Sequence, residues 1–170
     1  LAPVWYLAGF GILGSVYWTT YRTRVPLYLS SNEACERVAA LLPADRVFSF
    51  VDIGCGVGTV LVRLAPRFPQ ATFRGLEIAP LPFVVTWLRA KVSRRFEAQR
   101  IDFWRTSLAK YDVVYAFLSP VPMSDLWRKA RAEMRPGSLL VSNTFRIDGV
   151  PADTVIPIAG GRRSLYVWRI

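Results

Sequence analysis

The run Phe50-Val51-Asp52-Ile53-Gly54-Cys55-Gly56-Val57-Gly58 sets three glycines at alternate positions directly behind an apolar stretch that starts at Val47. A short apolar stretch of this kind reads as a buried strand, and glycines in that rhythm end it in a turn whose backbone can approach a bound group closely. Residues 60–68 then carry a helical pattern, so the turn also aims the free N–H groups of a helix N-terminus at whatever sits above it. Strand, glycine turn and helix in that order make the first βα unit of a layered α/β fold. The dinucleotide form of such a turn is G-x-G-x-x-G. Here the order is G-x-G-x-G, with Thr59 where the third glycine would stand, which disfavours NAD.

The alternation continues on both sides. Ser30-Ser31-Asn32-Glu33 has the form of a capping box and opens a helix through Leu42, which Pro43 stops. Strand and helix patterns follow at 71–78 and 81–92, with a third, less regular strand at 96–103. An apolar strand at 111–118, a helix at 123–134 and a strand at 138–145 come next, and 154–158 and 164–170 close as a hairpin around Gly160-Gly161. The pattern predicts an α/β fold with a doubly wound, mostly parallel sheet of seven strands, helices on both faces, and an antiparallel C-terminal hairpin at the edge. A chain of 170 residues suits one such domain.

Residues 1–21 carry no charge, and Arg22 and Arg24 follow at once. As a helix rising ~1.5 Å per residue the stretch would be about 30 Å long, enough to cross a hydrocarbon core. Trp5 and Tyr6 would then sit at one interface and Tyr17, Trp18 and Tyr21 at the other. The chain therefore divides into a membrane-anchoring apolar helix at 1–24 and a folded domain at 25–170. A helix lying in the interface is the rival reading, because Gly9, Gly11 and Gly14 weaken the helix and the aromatic pairs are close together for a full crossing. A cleaved signal is disfavoured, since no basic stretch precedes the apolar run and no small-residue cleavage site ends it. In a spanning arrangement Arg22 and Arg24 place the domain on the cytoplasmic side of a bacterial membrane or the matrix side of a mitochondrial one.

Composition removes several chemistries. With no histidine there is no histidine base, no Ser-His or Cys-His pair and none of the commonest zinc sites. Cys35 and Cys55 are too few for a disulfide framework. Lys+Arg 22 against Asp+Glu 12 gives a net charge of +10, which draws polyanions such as nucleic acid, anionic lipid headgroups or an acidic protein face, and which a solvated arginine-rich surface explains equally well. The basic group Arg89, Lys91, Arg94, Arg95, Arg100 and Arg105 lacks the interleaved aromatics of an RNA module, so nucleic acid ranks behind anionic headgroups as its partner, and a plain solvated helix face ranks ahead of both.

Three carboxylates fall at the predicted carboxyl ends of successive strands, where ligands of open α/β sheets bind: Asp52, then Glu77 25 positions on, then Asp102. A carboxylate at Glu77 can accept both hydroxyls of a ribose, and one at Asp102 can accept an adenine amino group with Phe103 or Trp104 on the ring. Each also has a plain reading, as a solvated strand-end or turn carboxylate.

D-x-G-x-G-x-G followed by an acid after the second strand and another after the third resembles the class I S-adenosylmethionine-dependent methyltransferases over about residues 47–170. The resemblance implies S-adenosyl-L-methionine as cofactor. Gly54, Gly56 and Gly58 would line its methionine part with Asp52 and Cys55, Glu77 would hold the ribose with Ile78 beside it, and Asp102 with Phe103 would hold the adenine. Val25-Pro26, Trp104 close behind Asp102, Val113-Val114 leading to Ser119-Pro120, and the ending Leu165-Tyr166-Val167-Trp168 are similar to the membrane-anchored lysine methyltransferases acting on ATP synthase c subunit and adenine nucleotide translocase, and their bacterial relatives. Those proteins often carry an acid and an arginine where this chain has Val57 and Thr59.

That resemblance implies transfer to a lysine of a membrane-associated protein. A lysine amine reacts when a desolvating pocket keeps it neutral, so the absence of histidine is no obstacle. Ser119 and Pro120, in the loop after the fourth strand, and Tyr28, covering it from the N-terminal side, are the candidate catalytic residues; a plain proline-rich loop is the alternative. Transfer to a lipid or lipophilic small molecule, or a non-catalytic cofactor-binding or RNA-binding membrane scaffold, remain the rival functions.

Overall fold

The computed structural model describes residues 28–170 and, ahead of them, Tyr6, Gly9, Gly11 and Gly14, all four helical. The rest of the 1–24 segment, with Trp5, Tyr17, Trp18, Tyr21, Arg22 and Arg24, lies outside the described residues, as do Val25 and Pro26. Among the described residues no helix is long and apolar enough to cross a membrane.

The chain orders as α1 (Asn32–Leu41), β1 (Ser49–Ile53), α2 (Thr59–Leu64), β2 (Thr72–Glu77), α3 (Pro80–Ser93), β3 (Glu97–Arg100), β4 (Val113–Ala116), α4 (Met123–Glu133), β5 (Leu139–Asn143), β6 (Thr154–Ile158) and β7 (Arg163–Arg169). Short 3₁₀ turns follow α2, β3 and β6. The seven strands form one sheet in the order β3-β2-β1-β4-β5-β7-β6. β1 to β5 pair in parallel, and β7 runs antiparallel to both of its neighbours.

The hairpin forms over the expected residues, but its antiparallel strand is not at the edge. β7 inserts between β5 and β6, so the edge strand is β6, which points the same way as β5. Pro157 lies in β6, where a missing N–H interrupts no ladder on the open side.

Alternation along each strand divides the core in two. In β1, Phe50 packs into a cluster with Cys35 and Val38 of α1, Leu61 and Leu64 of α2, and Phe73 and Tyr115 of the sheet. Val51 and Ile53 face the other way, with Leu126 and Ala130 of α4, Leu140 and Trp168. Trp168 is 1% exposed and packs against Trp127 at 6.2 Å, so truncating it to alanine would cost about 3–5 kcal/mol.

Helix α1 starts one residue later than the capping box predicts. Ser31, not Ser30, is the N-cap, and its hydroxyl accepts the Ala34 N–H at 3.1 Å. Ser30 Oγ is instead 2.8 Å from Tyr115 Oη, a bond across 85 residues that no local pattern announces.

Candidate active site

All three motif glycines adopt left-handed φ: 68° at Gly54, 55° at Gly56 and 76° at Gly58. At Gly54 and Gly58 an added side chain would also meet a neighbour. A Cβ on Gly54 would lie 2.6 Å from Leu118 Cδ2, and one on Gly58 2.8 Å from Thr86 Cγ2. The glycines of the loop thus pack against Leu118, just past β4, and against Thr86 of α3.

Glu77, at the end of β2, braces this loop. Its Oε2 accepts the Gly56 N–H at 2.8 Å and its Oε1 accepts the Ala79 N–H at 2.7 Å. A carboxylate has about four lone-pair positions, so both oxygens keep capacity for hydroxyl donors. Thr86 Oγ1 donates to Gly56 O at 2.5 Å and Arg89 Nη1 to Val57 O at 2.8 Å, fixing the loop carbonyls away from the ligand side.

Asp52 is 3% exposed. Burial pushes its carboxyl well above the usual carboxylate range, and the charge of Glu77 adds to the rise. It lines a narrow cavity with Tyr28, Ser30, Gly54, Cys55, Thr59, Val60, Tyr115 and Phe117. Cys55 is buried, and desolvation raises its thiol too, so it sits there as an inert neutral group.

The adenine-side residues are placed differently from the simple strand-end expectation. β3 ends at Arg100, and Asp102 caps the 3₁₀ turn Phe103–Arg105, accepting the Trp104 N–H at 3.0 Å through Oδ1. The turn-carboxylate reading thus describes the bond that Asp102 makes here, through Oδ1. Ile101 N–H donates to Glu77 O at 3.2 Å, which brings Asp102 and Phe103 beside Glu77 and Ile78 at one sheet edge. Ile78 is exposed and Phe103 partly buried, as apolar groups awaiting a flat ring would be.

Ser119 is 4% exposed, and its hydroxyl has no hydrogen-bond partner. Pro120 is exposed and its carbonyl accepts the Met123 N–H at 3.2 Å, so it shapes the entry to α4; neither Ser119 nor Pro120 is among the residues that line the cavity, which Ser119 approaches only from the loop after Phe117. Tyr28 stacks on Phe117 at 4.8 Å and leans on Phe145 at 5.6 Å.

Three polar residues that the sequence reading missed join the site. Thr144 Oγ1 donates to Asn143 Oδ1 at 2.9 Å, and Asn143 Nδ2 donates to Tyr115 Oη at 2.9 Å, which leaves the phenol proton for Ser30 Oγ. Thr144 has φ 73°, and the Phe145 N–H reaches back to Asn143 O at 2.9 Å, a strained three-residue turn that sets Phe145 near Phe117. The one available signal was polarity at strand ends, in Val141-Ser142-Asn143-Thr144.

The cradle suits S-adenosylmethionine. Left-handed glycines form the turn after β1, Gly56 is held by Glu77, a buried carboxylate with lone pairs to spare, and Asp102 caps the neighbouring turn through Oδ1.

Comparison with known proteins agrees with the geometry. Residues 52–154 match the family described as ANTKMT methyltransferase domain. The chain is similar to the adenine nucleotide translocase lysine N-methyltransferase of Mus musculus, 31% identical over 152 residues, covering 86% of this chain and 63% of that protein. It is also similar to a protein-lysine N-methyltransferase of Saccharolobus islandicus, 23% identical, covering 88% and 94%. Among solved structures an RNA methyltransferase from Salinibacter ruber, in complex with S-adenosyl-L-homocysteine, shares the fold with a TM-score of 0.74 at 24% identity, covering 84% of this chain and 94% of that one. The chain spans under two thirds of the mouse relative's length. With the strand order, the glycine cradle and the family match in agreement, the chain belongs to the ANTKMT methyltransferase domain family and is a class I S-adenosylmethionine-dependent methyltransferase.

Proposed function

We propose that the protein transfers a methyl group to a lysine side chain of a membrane-associated protein. The observation that carries this reading is Ser119, a buried hydroxyl without a partner just past β4. A buried unpaired hydroxyl costs about 1–3 kcal/mol, a cost that an incoming N–H donor would remove. The names of the mouse and archaeal relatives support a lysine as that donor.

S-adenosylmethionine, when bound, supplies a methyl group on a cationic sulfonium for in-line transfer to a nucleophile. The residues of this chain hold and orient. Glu77 and Asp102 fix the nucleoside end and the glycine loop the methionine end, while Tyr28, Phe117 and Phe145 form an apolar wall beside the cavity. Such a wall desolvates an amine and favours its neutral, nucleophilic form. Ser119 orients the amine, and Pro120 stiffens the corner behind it. In that transfer the methyl–sulfur bond would break as the methyl–nitrogen bond forms, and the methylated amine would give its proton to solvent.

The membrane part of the proposal rests on segment 1–24, whose first 21 residues carry no charge and which would tether enzyme and substrate to one surface and raise their effective concentration. Arg22 and Arg24 favour the cytoplasmic or matrix side.

The test follows a radiolabelled methyl group from the cofactor in membranes supplied with the purified protein. Label in protein, released on hydrolysis as methyllysine and lost with Ser119→Ala, is the expected result. Label only in lipid or RNA would overturn the lysine reading.

A further inference from the structure

Helix α3 is amphipathic in the reverse sense. Its inward side carries small residues, buried Thr86 and, one turn on, Ala90 against the core. Its outward side carries Val84, Leu88 and Val92, spaced four apart, with Val85 beside them. Leu88 is 52% and Val92 87% exposed, so this is an aliphatic stripe left in water and not a set of edges of the core. Trp87 stands on its flank, 42% exposed, with Lys91 Nζ 5.6 Å from its ring.

The charges around the stripe have one sign. No acidic residue occurs between Glu77 and Glu97, while Arg89, Lys91, Arg94 and Arg95 border the stripe or follow it, all exposed. Aliphatic centre, tryptophan flank and basic rim are the features of a helix lying in the headgroup layer of an anionic bilayer. RNA would satisfy the rim and leave the valines and leucine wet. A second copy would bring the same cations face to face across a two-fold axis.

We infer that the exposed face of α3 is a docking surface for an anionic lipid bilayer. The inference does not depend on which acceptor is methylated. The helix starts three residues after Glu77, and Thr86 and Arg89 bond the carbonyls of Gly56 and Val57. A bilayer against α3 therefore lies beside the cofactor edge of the sheet, and the catalytic domain contacts lipid through its own surface in addition to the N-terminal segment.

The experiment places a nitroxide on the whole chain at Val92→Cys, and in a control at Ala132→Cys on the exposed side of α4 across the sheet; the native cysteines are both buried. Collision with oxygen and with a water-soluble nickel complex is read on vesicles of phosphatidylcholine alone or mixed equally with phosphatidylglycerol. The label at 92 is expected to enter the interface on the anionic vesicles only, with the label at 132 in water on both. Lys91→Gln and Arg95→Gln should each weaken anionic-vesicle binding about 5-fold. A label at 92 that stays in water while the protein is vesicle-bound overturns the inference. So does one already shielded without vesicles, which would mean cover by the chain's own N-terminal segment, or one shielded by single-stranded RNA and not by lipid. Circular dichroism of each variant establishes that the fold is intact.

Discussion

Glu77 Oε2 accepts the backbone N–H of Gly56 at 2.8 Å, so the residue assigned to the ribose also holds the loop assigned to the methionine end. Losing the carboxylate therefore has two effects. Glu77→Ala is expected to weaken cofactor binding about 10- to 100-fold, since hydrogen bonds to a charged group are worth about 1.5–3 kcal/mol. It should also lower the melting temperature of the free protein, because the Gly56 and Ala79 N–H groups lose their acceptor. Calorimetric titration and thermal denaturation separate the two. Weakened binding with an unchanged melting temperature would show that the brace is dispensable.

Asp52 gives a pH prediction. Burial, with Glu77 adding, holds its carboxyl protonated well above the ordinary range. The native state thus keeps a proton that the unfolded chain releases near pH ~4, and stability falls as pH rises from there through the native pKa. Asp52→Asn should flatten that fall and stabilise the free protein at neutral pH. A cationic cofactor favours the carboxylate, so binding should release a proton in wild type and not in Asp52→Asn. Titration in two buffers of different ionisation enthalpy reads this directly, and identical behaviour of the two proteins would refute it.

Gly58 and Thr86 test the cradle as a steric object. Gly58→Ala should cost about 1–2 kcal/mol from the left-handed backbone alone, and more from contact with Thr86 Cγ2 at 2.8 Å. Thr86→Ser removes that methyl group and keeps the hydroxyl on Gly56 O, so the double variant should regain the steric part only. Urea midpoints of the four proteins would settle it, with strict additivity as the contrary outcome.

Tyr115→Phe should cost about 1–3 kcal/mol, because buried Asn143 loses the acceptor for its Nδ2. Cofactor affinity should stay near wild type while methyl transfer slows, since the chain from Thr144 to Ser30 lies on the cavity side of the sheet. Equal losses in affinity and rate would place Tyr115 in the cofactor cradle instead.

The elements that bury one continuous face were legible in the sequence. The apolar runs at β1, β4 and β5 and the glycine turn after β1 all appear within a few residues of their expected bounds. Asp102 was placed just past β3, and its capping bond to Trp104 is the turn role that the sequence left open beside ligand binding, because a carboxylate two residues past a strand caps a turn as readily as it meets a ligand. Tyr115 read as one more apolar residue of Val113-Val114-Tyr115-Ala116, and only pairing with Asn143 on the neighbouring strand reveals its hydroxyl as a member of the site. Ser30 was drawn to the helix cap by its neighbours, while the hydroxyl of Tyr115 held it from a distance. The sequence pattern carries local periodicity well, and contacts made across the sheet leave almost no trace in it.

The place of β7 between β5 and β6 also bears on how the protein is made. Ribosomal synthesis delivers β6 before the strand that is its one neighbour in the sheet, so β6 emerges with nowhere to pair. Until β7 follows, the growing chain presents β5 as an open parallel edge and β6 as a loose strand, both able to recruit another polypeptide. Insertion of Leu165, Val167 and Trp168 closes both at once. With β7 in place neither β5 nor the inner side of β6 offers an open edge, and at this end of the sheet only the outer side of β6, broken by Pro157, is left unpaired among the described residues.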